Sequence, residues 1–342
     1  MYRNFFGLKD PPFSMAPDAR VLFKTEQHLE SLAGLIYTIL NRKGLAVLTG
    51  DAGTGKTTLL TRALQNVTAY GVRSSMIFHP TLGVDDFLEL VLLDFGITEV
   101  PASKAQRLTC LQQFLLTGHE QGKISVLIVD EAHKLSPALL EEIRLLGNFD
   151  HAGEKLLQIL LIGQSELDDV LERNDLRQLK QRIAVRLSIA PLSHWQVEQY
   201  LRYRWMQAGG GEKLPFSAIV VEEIARVAKG IPRSINALCD GALLLAFAEG
   251  TYLVGMSHLK EAAKDLQMTP EKPAAPVNPA ANAELAVNDA IHLNGSTPVS
   301  RVTAPEGLEA MPLRVPDFCT QRPALIARWA VRLKLARTGA AR

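Results

Sequence analysis

Gly50-Asp51-Ala52-Gly53-Thr54-Gly55-Lys56-Thr57 follows the spacing G-x-x-x-x-G-K-[ST]. The chemistry those residue types suit is the holding of nucleotide phosphates. Glycines let the backbone wrap close, so that amide N–H groups turn inward at the anion. The helix that follows adds its positive end. Lys56 supplies a point charge for the β- and γ-phosphates, Thr57 offers a hydroxyl to a magnesium ion, and Thr58 lines the α-phosphate side. A chance match, or a loop that has kept its shape without its nucleotide, is the competing reading. The flanking elements and the acids downstream weigh against it.

Those acids are Asp130 and Glu131, which end the apolar run Val126-Leu127-Ile128-Val129. Asp130 is placed to hold Mg2+ through water beside the phosphate loop. Glu131 would polarise the attacking water as general base. The alternative is an acid pair that merely ends a strand in solvent. Gln164 follows a second apolar run, Leu160-Leu161-Ile162-Gly163. Its amide would face the γ-phosphate and the water, between the two motifs, or else it partners the helix starting at Ser165. Arg173, Arg177, Lys180, Arg182 and Arg186 lie close together just before the last apolar run. One of them could reach a neighbour's nucleotide as an arginine finger, Arg182 before Arg177; a solvated basic helix face is the other reading. Arg233 opens a helix after Gly230-Ile231-Pro232 and could fold over the phosphates from a lid, or be a surface arginine.

Bringing these residues together requires a parallel sheet. Leu45 to Thr49, Val72 to His79, Val126 to Asp130, Leu156 to Ile162 and Val185 to Ile189 read as apolar strands. Helical patterns alternate with them: Glu26 to Lys43 capped by Thr25, a helix from Lys56, Val84 to Phe95, Lys104 to Gln121 with the capping box Ser103 and Gln106, and a helix opened by Ser136-Pro137. Strands alternating with helices imply right-handed crossovers and a sheet covered on both faces. From Ser193 onward the signal is helical only: about His194 to Gln207 with the capping box Ser193 and Gln196, Ala218 to Lys229, Arg233 to Ala248 and Ser257 to Leu266. The expected fold class is therefore α/β, a phosphate-loop NTPase sheet flanked by helices and followed by a small all-helical lid. The expected organisation is 1–43 N-terminal segment and helix, 44–191 α/β core, 192–268 lid, and 269–342 tail.

Composition narrows the function classes. The chain has 342 residues, 47% hydrophobic and 21% charged, with 37 basic against 36 acidic side chains and a net charge of +1. That balance argues for neither nucleic acid nor membrane in bulk, so any basic surface must be local. Cys110, Cys239 and Cys319 are far apart and form no CxxC pair, which reads as reduced thiols in a cytoplasmic protein without a zinc site. Met1 to Pro12 has no apolar h-region, and no apolar run reaches about 18 residues, so neither a signal peptide nor a membrane span is expected. Pro270 to Pro298 is rich in Ala, Pro and Asn and reads as a disordered linker. Gln321 to Arg342 carries Arg322, Arg328, Arg332, Lys334, Arg337 and Arg342 with Leu325, Trp329 and Leu333 at four-residue spacing. This is either an amphipathic basic helix making peripheral contact with anionic lipid or a partner, or a disordered basic end.

Taken together, these motifs and their order resemble the AAA+ ATPases, specifically the general secretion pathway protein A (ExeA-type) family. The resemblance rests on Met1-Tyr2, Phe5-Phe6-Gly7-Leu8, Pro12-Phe13 and Pro17-Asp18; on His28-Leu29-Glu30 with Leu32; on Leu48-Thr49-Gly50 through Lys56-Thr57-Thr58; and on Asp130-Glu131-Ala132-His133, Leu161-Ile162-Gly163-Gln164 and Gly230 with Pro232-Arg233-Ser234-Ile235-Asn236. It covers about Met1 to Leu266. It implies Mg-ATP as the ligand, Asp130 as the second acidic motif, Gln164 at the first-sensor position, Arg233 at the second, and a ring-like homo-oligomer. Members of that family assist assembly of a secretion channel through the cell wall, with a membrane span and a peptidoglycan-binding domain for which the residues after Leu266 offer too little ordered sequence. The same core resembles transposon target-selection ATPases and the ATPases of exopolysaccharide–protein-sorting loci. Three functions stay open: an ATPase that assembles or remodels a protein partner, a DNA-dependent ATPase, and a slow ATP-dependent oligomerisation switch.

Overall fold

The computed structural model describes residues 2–16, 21–78 and 80–268. His79, the 269–342 tail with its linker and basic end, and Cys319 lie outside the described residues.

The elements follow in chain order. A short helix α1 (Tyr2–Phe5) precedes α2 (Glu26–Leu40), β1 (Leu45–Gly50), α3 (Lys56–Val67), β2 (Val72–Ile77), α4 (Val84–Asp94), α5 (Lys104–Glu120) and β3 (Ile124–Val129). Next come α6 (Pro137–Leu146), β4 (Asp150–His151), β5 (Glu154–Lys155), β6 (Leu157–Ile162), α7 (Glu166–Leu171), α8 (Arg177–Lys180) and β7 (Ile183–Ile189). The last four helices are α9 (His194–Gln207), α10 (Ala218–Val227), α11 (Pro232–Ala248) and α12 (Met256–Asp265).

Five strands form one parallel sheet in the order β2-β3-β6-β1-β7. The three inner strands, β1, β3 and β6, are buried along their whole length, which is why they read as unbroken apolar runs. The register sets the site. Leu48 pairs with Ile162, and Val129 with Leu161 and Ile77, so the strands end level and the residues after β1, β3 and β6 emerge at one edge. Because β6 lies between β3 and β1, Gln164 emerges between the phosphate loop and the acid pair.

Helix ends follow their capping residues. The Thr25 hydroxyl accepts the His28 N–H at the start of α2, Ser103 accepts the Gln106 N–H at α5, and Ser136 with Pro137 opens α6. At α9 the expected capping box of Ser193 and Gln196 forms, with the Ser193 N–H donating to Gln196 Oε1 at 2.9 Å.

Hydrophobic burial divides the molecule. One face of the sheet packs on α4, α5 and α6 through residues such as Phe87, Leu111 and Leu139. The other packs on α2 and α3 through Leu32, Ile39, Leu59 and Leu60. A separate cluster joins α9 to α12 and also contains Tyr2, Leu8 and Phe13. Tyr2, Leu8 and Phe13 thus pack with the lid helices, whereas α2 packs on the sheet. The aromatics explain the division. Phe5 stacks on Tyr252 at 4.3 Å, Phe6 meets Trp205 edge-on and Phe13 meets Phe216, all lid residues. The β4–β5 hairpin carries no apolar period and gave no strand signal; its Ala152-Gly153 turn takes positive φ at both residues. No helix among the described residues is long and apolar enough to cross a membrane.

Candidate functional site

The loop between β1 and α3 closes around its own lysine. Lys56 Nζ donates to the carbonyl oxygens of Gly50 at 2.7 Å and Asp51 at 2.9 Å. Its side chain is buried, and burial pulls its pKa down; Asp130, Glu131, Asp51 and Glu166 act in the opposite direction. Two glycines are dictated by close approach. A Cβ on Gly50 would lie 2.4 Å from the Ile189 carbonyl oxygen, and one on Gly53 would lie 2.7 Å from Arg233 Cβ. The loop's outer side is held by Ser165, whose hydroxyl donates to Asp51 Oδ1 at 2.9 Å.

Thr57 and Asp130 meet across the sheet edge, with Thr57 Oγ1 3.3 Å from Asp130 Oδ2. The other Asp130 oxygen accepts the Glu131 N–H at 2.8 Å, which fixes the carboxylate's plane. A hydroxyl and a carboxylate side by side are hard oxygen ligands. This suits Mg2+, which binds through one or two such groups with waters and substrate phosphates making up its octahedron. No cluster of three or more His, Cys, Asp or Glu that could hold a metal alone is present among the described residues.

Glu131 takes the left-handed conformation, φ 54°, and turns the chain out of β3. For a non-glycine residue this costs about 1–2 kcal/mol. The strained turn aims its carboxylate at Lys134, 3.0 Å away, and His133, 3.6 Å away. Burial opposes ionisation of Glu131, but Lys134, His133 and a hydrogen bond from Gln164 outweigh it and hold the carboxyl below the ordinary glutamate value. The Gln164 N–H donates to His133 Nδ1 at 3.3 Å, so Gln164, His133 and Glu131 form one chain of contacts.

A cavity of about 310 Å³ runs from this edge to the lid, lined on one side by Ala52 to Thr58, Asp130 and Glu131, and on the other by Arg233. Gln164, Arg177 and Arg182 are not among its walls. In the basic segment, Arg173 pairs with Asp175, Lys180 with Glu172, and Arg186 with Asp168 and Glu172. Arg177 lies exposed at the start of α8; Arg182 is half-buried just after it.

Several wall residues carry no role in the sequence reading: His28 and Asn236 stand only within the motifs of the resemblance, and Tyr200 and Arg204 outside them. His28 reaches the loop from α2. Arg204 of α9 donates to the carbonyl oxygen of Pro12 at 2.7 Å and approaches that of Ser14. The Tyr200 hydroxyl donates to Asn236 Oδ1 at 2.7 Å, and Asn236 Nδ2 donates to the Ser14 carbonyl at 3.3 Å. These groups tie the lid to residues 12–14 at the far end of the cavity, next to Val21, Leu22 and Phe23. A one-helix-turn spacing of Tyr200 and Arg204 was the available signal; nothing in the local sequence linked it to Ser14.

Residues 39–171 match the AAA domain family. General secretion pathway protein A of Aeromonas hydrophila is 40% identical over 258 residues, which is 74% of this chain and 46% of that protein, so the chain spans about half that relative's length. Among solved structures, Cdc6p from Pyrobaculum aerophilum is similar with a TM-score of 0.60 at 19% identity, covering 74% of this chain and 70% of that one. Drosophila ORC bound to DNA gives 0.55 at 19% identity, covering 78% and 65%. At such identities the likeness extends to the fold alone.

Proposed function

From a chain that belongs to the AAA+ ATPases of the general secretion pathway protein A type, we propose that it binds Mg-ATP in the cavity between core and lid and hydrolyses it to ADP and phosphate, using the cycle to assemble or remodel a protein partner. The observation that carries this reading is the convergence of Thr57 and Asp130, 3.3 Å apart, beside the buried Lys56 and the ionised Glu131.

Bound Mg2+ supplies a Lewis acid that neutralises charge on the β- and γ-phosphates. The Thr57 hydroxyl and the Asp130 carboxylate are the groups that hold it. Lys56 exchanges its two carbonyl partners for phosphate oxygens. Glu131 orients a water and accepts its proton, and it is ionised to do so. Gln164 positions Glu131 rather than lining the cavity. Arg233, which does line it, folds over the phosphates from the lid. Arg182 and Arg177 lie away from their own cavity, which supports a role toward a neighbouring subunit's nucleotide in a ring. Within the segment 173–186, Arg173, Lys180 and Arg186 pair with local acids, and this favours a protein partner over DNA at that segment.

Steady-state hydrolysis of wild type and Glu131→Gln, with and without duplex DNA at two salt concentrations, tests this. Wild-type turnover that is indifferent to DNA and lost in Glu131→Gln supports it. Salt-sensitive stimulation by DNA would move the function to the transposon target-selection class. Equal behaviour of the two proteins, with tight ATP binding, would leave a slow nucleotide-driven oligomerisation switch.

A further inference from the structure

We propose that His28 is a positioning residue of the phosphate loop, aiming the Gly55 amide into the phosphate cradle in a tautomer set by Thr25. The proposal rests on the reading of residues 50–58 as a phosphate-binding loop.

His28 sits in the first turn of α2 and belongs to the cavity wall. It is 4% exposed, Thr25 8% and Thr54 1%. Its Nδ1 is 2.7 Å from the Thr25 hydroxyl, and its Nε2 is 3.4 Å from the Thr54 carbonyl oxygen. The carbonyl only accepts, so Nε2 carries the hydrogen. Nδ1 of the neutral ring then accepts, and the Thr25 hydroxyl donates to it. The same Thr25 oxygen accepts the His28 backbone N–H at 3.3 Å. One side chain therefore caps α2 and selects the tautomer. Burial keeps the ring neutral by lowering its pKa, with the Thr54 carbonyl in weaker opposition.

In a trans peptide the C=O of one residue and the N–H of the next point in opposite directions. A carbonyl of Thr54 held by His28 fixes the plane of the 54–55 peptide and turns the Gly55 N–H away from the ring. A loop whose amides all face one anion needs its carbonyls anchored on the other side. His28 supplies the anchor that the loop's own residues do not. Anchoring α2 to the sheet does not require this contact, since Leu32, Leu35, Ile36 and Ile39 already bury that helix.

The test compares affinities for Mg-ATP, ADP and adenosine in His28→Ala, His28→Gln and His28→Asn. The Gln amide nitrogen occupies the place of Nε2; that of Asn stops at the place of Nδ1. Loss of one aligned amide from a charged phosphate weakens Mg-ATP and ADP binding by about tenfold in the Ala and Asn variants. The Gln variant stays near wild type, and adenosine affinity is unchanged in all three. Parallel weakening of adenosine and Mg-ATP, or a Gln variant as weak as Ala, overturns the proposal. Ring ¹⁵N NMR of the wild type provides a reading that no unfolded variant can spoil: Nε2 protonated with Nδ1 bare supports the proposal, and the opposite tautomer overturns it. Wild type that binds no Mg-ATP would overturn the phosphate-loop reading itself. Normal wild-type binding with an unaffected Ala variant would remove only the role of His28.

Discussion

Arg233 donates its backbone N–H to the carbonyl oxygen of Gly53 at 3.2 Å, so the lid is hydrogen-bonded directly to the phosphate loop. The contact is close because Gly53 has no side chain. A Cβ there would stand 2.7 Å from Arg233 Cβ and 3.1 Å from Ile231 Cγ2, at a backbone φ of +84°. Gly53→Ala should therefore push the start of α11 away and strain the loop, at about 1–3 kcal/mol of stability. The expected outcome is weaker ATP binding by tenfold or so, with faster amide exchange in α11 than in β1. Unchanged affinity and exchange would mean that the lid contact is dispensable.

Arg182 and Arg177 make a second expectation. Neither lines the cavity of its own chain. If one of them acts across a subunit boundary, its alanine variant should keep ATP affinity and lose turnover by about 10³-fold or more. Mixing that variant with Glu131→Gln should restore part of the activity. In a mixed ring the Glu131→Gln subunit lends its arginine to a neighbour whose Glu131 is intact. Two alanine variants that both hydrolyse at the wild-type rate would remove the role in trans.

Much of the site was legible because its chemistry is local. The spacing from Gly50 to Thr57 and the acid pair after a buried apolar run need only a strand end to become a site, and the parallel register supplies it. Gln164 was placed between the motifs by its strand, but its contacts with His133 and Glu131 could not be read, because they depend on the left-handed turn at Glu131. Sheet order was not legible either; strand patterns state what is buried, not which strand neighbours which. The lid's use of Tyr2, Phe5, Phe6 and Phe13 was invisible for the same reason: those aromatics meet partners about two hundred residues later in the chain.

Phe13 turns that long-range packing into a measurement. It is fully buried in the lid cluster and meets Phe216 at 6.0 Å between ring centres. Phe13→Ala should cost about 3–5 kcal/mol, the range for removing a buried aromatic side chain. The loss should fall on the lid. Amide exchange in α9 to α12 is expected to quicken while β1, β3 and β6 keep their protection. Uniform loss of protection would show that lid and core unfold as one cooperative unit.

His28 gives the pH prediction, and its sign is fixed by burial. Its folded pKa lies below the ordinary 6.5, because burial disfavours the imidazolium. Above about 6.5 the ring is neutral in both folded and unfolded chains and contributes no pH dependence. As pH falls through that value, the unfolded chain gains a proton that the native ring refuses, so stability is lost on acidification at up to about 1.4 kcal/mol per pH unit until the folded pKa is reached. The groups hydrogen-bonded to the ring, Thr25 and the Thr54 carbonyl, are uncharged. Charged groups sharing the cavity, namely Lys56, Asp130, Glu131, Arg204 and Arg233, are the same in a His28→Gln variant and largely cancel in the comparison. Urea unfolding of both proteins between about pH 7.5 and 5 should show wild type losing stability relative to His28→Gln as the pH drops. Parallel curves would mean that the buried ring takes up its proton in the native state as readily as in the unfolded one, and that the Thr25–His28–Thr54 contacts do not hold it neutral.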